Sequence, residues 1–264
     1  MDTVRRAVGV KRVGHTGTLD PFASGLLVML IGKATRLAQF LAAARKTYFG
    51  VMRLGIETDS WDRTGTVERD SGDWKRLADQ SIEDVLTGLI GTQSQQPPPL
   101  SAKKLRGVPA HRRVRRGERV ELAPSMVEVD AVDMLNRDGP LVSFRTTVGS
   151  GTYIRWLAHE AGRRLGCGAH LEELRRERVG TFRVEDAVSP EHVSADRLLP
   201  PAVAVSHLPA VVVGSDDVEA LHHGRFIERP VSLPDGSVAL LNEDRLVAVA
   251  TASGDRLRPQ VVLV

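Results

Sequence analysis

Cysteine is almost missing from this chain. Cys167 is the only one among 264 residues, so no intramolecular disulfide can form, and a reducing, cytoplasmic compartment is the simplest setting. No apolar run approaches the length that crosses a bilayer, and the amino terminus lacks the apolar segment of a signal peptide, so nothing suggests a membrane partner. Aromatic residues make up 4% of the chain, with only two tyrosines, Tyr48 and Tyr153. Internal repeats and low-complexity tracts are absent as well. What remains is a composition of 42% hydrophobic and 26% charged residues, that of a soluble globular protein long enough for one domain or two.

A net charge of +3 conceals an uneven distribution. Residues 200–264 hold five Arg against eight Asp and Glu, a balance of −3 that leaves +6 on residues 1–199. Within 101–119, Lys103, Lys104, Arg106, Arg112, Arg113, Arg115, Arg116 and Arg119 face only Glu118. Solvated surfaces usually mix signs, so this density calls for a polyanion, and a phosphate backbone is the obvious one because neutralising it releases counterions. A solvated basic loop is the competing reading.

Asp2 is placed to cap a short helix with Val4, Ala7 and Val8 on one face. Leu26–Ile31 reads as a buried strand, Ala34, Leu37, Ala38 and Leu41 have helical spacing, and Tyr48–Leu54 reads as the next strand. A polar turn follows at Thr58–Gly65. Ile82, Val85, Leu86 and Leu89 predict a helix ended by Gly91, and Gln93–Pro99 looks like a linker. Met126–Met134 and Leu141–Val148 read as paired strands, and Gly149–Thr152 opens a helix carrying Ile154, Leu157, Ala158 and Ala161. Helices and strands are interspersed without a βαβ rhythm, which favours α+β. A boundary is expected near Pro200-Pro201, before a β-rich region with apolar runs at Ala210–Val213, Val238–Leu241, Leu246–Ala250 and Val261–Val264, a pattern that suits a small barrel-like appendage.

The richest segment is Gly14-His15-Thr16-Gly17-Thr18-Leu19-Asp20-Pro21-Phe22-Ala23-Ser24-Gly25. One acid stands among glycines, hydroxyl residues and a proline, so Asp20 looks displayed by a shaped loop, although a lone Asp in such a turn is commonly just a turn-former. Tyr48 sits in Arg45-Lys46-Thr47-Tyr48 and Tyr153 in Gly149-Ser150-Gly151-Thr152-Tyr153-Ile154-Arg155. An aromatic beside a cation suits stacking of one base next to its phosphate, while each tyrosine taken singly is more simply a core or rim residue.

Taken together and in this order, the Gly14–Pro21 run, Lys46-Thr47-Tyr48, Gly151-Thr152-Tyr153-Ile154-Arg155 and Leu165-Gly166-Cys167-Gly168-Ala169-His170 resemble the motifs of the TruB family, the tRNA pseudouridine-55 synthases. The resemblance implies a mixed-sheet pseudouridine-synthase core with flanking helices in residues 1–199 and a small β-rich PUA-like domain in 200–264. It implies isomerisation of uridine 55 in the tRNA T-loop after the base is flipped out, by a monomer that needs no protein partner, metal or cofactor. Asp20 matches the catalytic aspartate, which attacks or deprotonates the ribose so that N1–C1′ breaks. Tyr48 matches the residue that stacks on the flipped uracil and serves its last proton transfer. Arg155 matches the arginine paired with the aspartate, and a neighbouring cation favours the ionised form of a carboxylate. Among the RNA contacts, His15 matches the histidine that enters the T-loop, Leu174 an apolar pocket wall, and Lys104 a lysine of the RNA-gripping segment, with Tyr153, Arg112 and Arg113 as further candidates. Family members begin with a short strand and a Lys-Pro-x-Gly motif ahead of the helix at Asp2, so an amino-terminal strand is expected to be lacking here.

Rival readings are a non-catalytic tRNA-binding or folding protein on the same scaffold and a guide-RNA-dependent relative that works with partner proteins. Ser101-x-x-Lys104 fits a serine acyl-transferase pattern but lacks its Ser-Asp-Asn and Lys-Thr-Gly companions. Cys167-x-x-His170 has no second ligand pair at useful spacing, which makes a metal site a weak reading.

Overall fold

The computed structural model describes residues 1–99, 104–105, 108–109, 123–230 and 233–264, the four residues 104, 105, 108 and 109 by backbone alone. The chain forms two compact units, one from Leu19–Leu26 and Ala44–Glu185, the other from Met1–Thr18, Leu27–Ala43 and Asp186–Val264. Residues 186–199, grouped on sequence with the catalytic part, lie in the second unit.

The first unit is built on a seven-stranded sheet. Its order runs Phe182–Arg183, Ala169–Val179, Lys46–Leu54, Leu141–Val148, Ser125–Asp138, Gly91–Gln95, with Ser24–Gly25 pairing parallel to the second of these. The other pairings are antiparallel. Lys46–Leu54 alternates strictly between buried and half-buried residues, as a strand with one covered face must. Lys46, Tyr48, Gly50, Met52 and Leu54 therefore share a side. Gly50 is required there, because a Cβ would stand 2.6 Å from the Phe144 ring on the neighbouring strand. The helices Asp79–Thr87 and Ile154–Arg164 contribute Ile82, Leu86, Leu157, Ala158 and Ala161 to one core with Met52, Leu54 and Phe144. Each large aliphatic side chain so buried contributes about 1.5–3 kcal/mol.

In the second unit, Val13–His15 pairs antiparallel with Met29–Ile31. A five-stranded sheet runs in the order Ala210–Val212, Gly236–Asn242, Arg245–Ser253, Arg256–Val262, Ile227–Glu228, with the first pair parallel. A helix, Ser215–His222, which the apolar runs did not suggest, adds Leu221 to that sheet's core.

Several sequence expectations need correction. The third helix stops at Thr87 with Gly88 as its cap, because Leu89 is buried outside helical geometry and Gly91 already starts a strand. The supposed linker begins as that edge strand, Gly91–Gln95, paired with Ser125–Val129. Asp2 lies inside its helix and binds Arg5 at 2.6 Å, making no side-chain cap. Regular strand covers only Met29–Ile31 of the 26–31 run, although Leu26 and Val28 are buried.

Candidate active site

The loop carrying Asp20 is fastened to the strand Ala169–Val179. Ala23 N–H donates to the Asp20 carbonyl at 2.9 Å, and Leu26 N–H donates to the Arg176 carbonyl at 2.8 Å. Between them Gly25, at φ +99°, lies so close to the Arg176 backbone that a Cβ would stand 2.3 Å from its carbonyl oxygen. Only glycine fits this approach and this dihedral.

The Asp20 carboxylate accepts two bonds from Arg155, from Nε at 3.1 Å and Nη2 at 2.9 Å. This fork-to-carboxylate geometry fixes direction as well as charge. Arg155 occupies the first turn of the helix Ile154–Arg164 and is 3% exposed. Its Nη1 donates to the Ser60 carbonyl at 3.0 Å and lies 3.4 Å from Asp62 Oδ2. One guanidinium thus stands between two carboxylates. Asp62 is held in turn by Ser60 Oγ at 2.8 Å, Thr64 N–H at 2.9 Å and Thr64 Oγ1 at 2.6 Å. The polar turn read at Thr58–Gly65 is therefore the socket for Arg155. Trp61, at φ 62°, stacks on His159 with ring centroids 4.3 Å apart and braces that socket against the helix. Burial pushes the His159 imidazole below its ordinary value.

Tyr48 is buried at 8% exposure, opposite Thr146 on one neighbouring strand and Arg176 on the other. Burial pushes its phenol above the ordinary value. The charge and hydrogen bond of the Arg176 guanidinium oppose that shift, and the charge of Asp20 adds to it. Asp20, Arg155 and Tyr48 are thus within electrostatic reach in one unit. In the same unit, Leu174, Phe22, Phe49, Arg63 and Arg175 line much of a cleft of about 420 Å³. The Arg63 guanidinium lies over the Phe22 ring at 5.9 Å.

Tyr153 precedes the helix, half-buried, and its N–H donates to Gln95 Oε1 at 2.6 Å. Gln95 Nε2 donates to the Gly151 carbonyl at 2.9 Å, so this fully buried amide clamps the Gly-Thr-Tyr run. His15 lies on the strand Val13–His15 of the other unit, with Nδ1 buried and without a hydrogen-bond partner among the described residues. Lys104 falls in a two-residue strand paired with Val108–Pro109, while Ser101, Arg112 and Arg113 lie outside the described residues. Sequence reasoning missed Asp62, Gln95 and Arg176. For Arg176 a signal existed, since period-two alternation puts it on the same face as Leu174.

Solved structures similar to this chain are a structure of an H/ACA RNP bound to a substrate RNA containing 2′-deoxyuridine and the archaeal box H/ACA sRNP Nop10-Cbf5 complex. The first has a TM-score of 0.74 at 25% identity, covering 99% of this chain and 79% of its counterpart. The second has a TM-score of 0.72 at 26% identity, covering 99% and 80%. A mixed sheet that presents a half-buried aspartate bonded to a buried arginine, with a buried tyrosine in the same unit, is by this likeness a pseudouridine-synthase type of architecture. The family is narrower. The model described as TruB family pseudouridylate synthase (N terminal domain) matches residues 5–154, and that of the tRNA pseudouridylate synthase B C-terminal domain matches 155–202. The tRNA pseudouridine synthase B of Thermosipho melanesiensis is 38% identical across 96% of this chain and 86% of that protein. That of Geobacter sulfurreducens is 41% identical across 84% and 75%. The chain belongs to the TruB family of pseudouridylate synthases.

Proposed function

We propose that this protein isomerises uridine 55 of tRNA to pseudouridine, acting as a cytoplasmic monomer on the T-arm without a protein partner, metal or cofactor. The observation that carries the reading is the two-bond Asp20–Arg155 pair beside the buried Tyr48. Relatives named tRNA pseudouridine synthase B support tRNA as the substrate. Their identity to this chain, 38% and 41%, exceeds the 25% and 26% of the H/ACA RNP and Nop10-Cbf5 structures, which supports action without such a complex.

In this reading the target uridine leaves its stack, at a cost that enzyme contacts offset. Asp20, aimed by Arg155, acts at the ribose and N1–C1′ breaks. The freed uracil turns over and C5 bonds to C1′. The C5–H bond then breaks, its electron pair restores the C5=C6 bond, and the proton passes to the Tyr48 oxygen, whose own O–H proton has gone to solvent. N1, left with the electron pair of the broken bond, takes a proton from solvent in place of the one released from C5, so the product is an isomer of the substrate. Leu174 and the cleft beside it hold the base edge. Tyr153, held by Gln95, lies at the helix start that carries Arg155. His15 takes space inside the T-loop, and Lys104, Arg112 and Arg113 grip phosphates. Catalysis belongs to residues 1–199, and 200–264 form a PUA-like appendage.

The test is conversion of an unmodified tRNA transcript by the purified chain alone, read as pseudouridine at position 55. No conversion without added proteins, or equal conversion by Asp20→Asn, would overturn the proposal. Replacing Arg112, Arg113, Arg115 and Arg116 by Gln should flatten the salt dependence of tRNA binding, and an unchanged slope would remove them from the interface.

A further inference from the structure

We propose that Arg176 is a positioning residue for the proton-transfer step, its guanidinium fixing the Tyr48 phenol oxygen against the loop that carries Asp20. This rests on the reading of Tyr48 given above.

Arg176 is 2% exposed and is the largest of the fully buried side chains among the described residues. Burying a guanidinium costs far more than burying an aliphatic side chain of similar volume, so packing alone does not explain it. Its position does. Arg176 lies directly across the antiparallel ladder from Tyr48, where opposed side chains share a face and touch. Guanidinium is a donor without acceptor capacity, so in its hydrogen bond with Tyr48 the phenol oxygen accepts. The phenol O–H is thereby turned away from Arg176, and when that proton leaves to solvent the negative charge on the oxygen that receives the C5 proton meets a fixed cation.

The same side chain reaches the catalytic loop. Its Nε donates to the Leu26 carbonyl at 2.7 Å, while Leu26 N–H returns to the Arg176 carbonyl at 2.8 Å. Backbone pairing of Arg176 with Gly25 completes the clamp. One residue therefore sets the phenol and the Asp20 loop against each other with a rigid plane, which lysine does not reproduce. The electrostatics agree. Burial and the charge of Asp20 push the phenol up, and Arg176 is the group that opposes them. Lys46, on the same face, is pushed below its ordinary value by burial and then by the charge of Arg176.

The experiment is single-turnover conversion of tRNA carrying uridine or 5-deuterouridine at position 55. Arg176→Lys should slow conversion on the order of 10²-fold with tRNA affinity unchanged, and should raise the deuterium effect as loss of the C5 proton becomes limiting. In a Tyr48→Phe background the same substitution should cost nothing more. An equal loss in that background, or a slowed rate with an unchanged isotope effect, would mean a structural role and overturn the proposal. A measurement that keeps Arg176 covers the case in which its variants do not fold. In the otherwise native protein, Tyr48→Phe should shift the Arg176 guanidinium resonance and speed its hydrogen exchange, and an undisturbed resonance would overturn the proposal equally. Failure of the functional reading is separable, since it would show as no conversion by the native chain.

Discussion

The seven-stranded sheet and the five-stranded sheet both pair mainly antiparallel, and each covers a cluster of aliphatic side chains, but they differ in what else they bury. Around the larger sheet lie Lys46 at 8% exposure, Asp62 at 4%, Gln95 at 0%, Arg155 at 3%, His170 at 4% and Arg176 at 2%. Among the described residues, the core of the smaller sheet, from Val213 to Leu257, is Val, Leu, Ile and Ala, with no buried polar or charged side chain in its strands. Taking an ion out of water costs several kcal/mol even after relaxation, so a sheet built for stability alone resembles the smaller one. The larger sheet spends that stability on fixed charges and hydrogen bonds, which is what a preorganised reaction site requires. Two of its buried polar side chains are satisfied in detail, as the four groups gathered by Asp62 and the clamp made by Gln95 show.

The contrast is breakable, beginning where the effect is largest. Asp20→Asn should lower single-turnover pseudouridine formation by on the order of 10⁴-fold while tRNA affinity and melting temperature hold. A near-parental rate would remove the larger sheet's claim to chemistry. Next, Arg155→Met leaves Asp20 and Asp62 facing each other without their shared cation. Urea unfolding should report a loss of about 3–5 kcal/mol along with the loss of activity. A change under about 1 kcal/mol, the value of an exposed pair, would show that this trio is effectively solvated. Leu240→Ala in the smaller sheet should destabilise that sheet by about 2–5 kcal/mol, followed by hydrogen exchange, and leave the rate per folded molecule as it was. A rate that falls in step would erase the division of labour.

The smallest effect concerns alkaline pH. The Tyr48 phenol is raised in the folded protein, mainly by burial, from its ordinary value of 10.0. Above that pH the unfolded chain releases this proton more readily than the folded one. The associated stability is therefore complete below pH 10 and is lost as pH rises through the folded value. Tyr48→Phe should flatten the decline of unfolding free energy in that window. Parallel curves for the two proteins would place the phenol in water.

Much of this was legible in the residues themselves. Helical spacing over Ile154–Ala161, alternation over Tyr48–Leu54 and the loop around Asp20 are local patterns, and local sterics and one-sided burial decide them. The chain order of motifs brought Asp20 and Arg155 together on paper, and the structure joins them across 135 residues. Other features had no local signature. Gly-Thr-Gln-Ser-Gln carries no apolar alternation, and it becomes a strand only because Ser125–Val129 offers it a ladder. Asp62 looked like part of a solvated turn until Arg155, whose bond to Ser60 spans 95 residues, settled into it. For Arg176 the alternation with Leu174 marked only a shared face, and the pairing register that sets it opposite Tyr48 is what makes it a buried partner of the phenol. The residues alone determined periodicity, charge and the glycine-rich loop around Asp20, because these depend on neighbours a few positions away. Which polar groups meet in the interior was decided by tertiary structure, because strand register is chosen by the burial of the whole sheet and a shift of one residue would turn every one of these side chains to the other face.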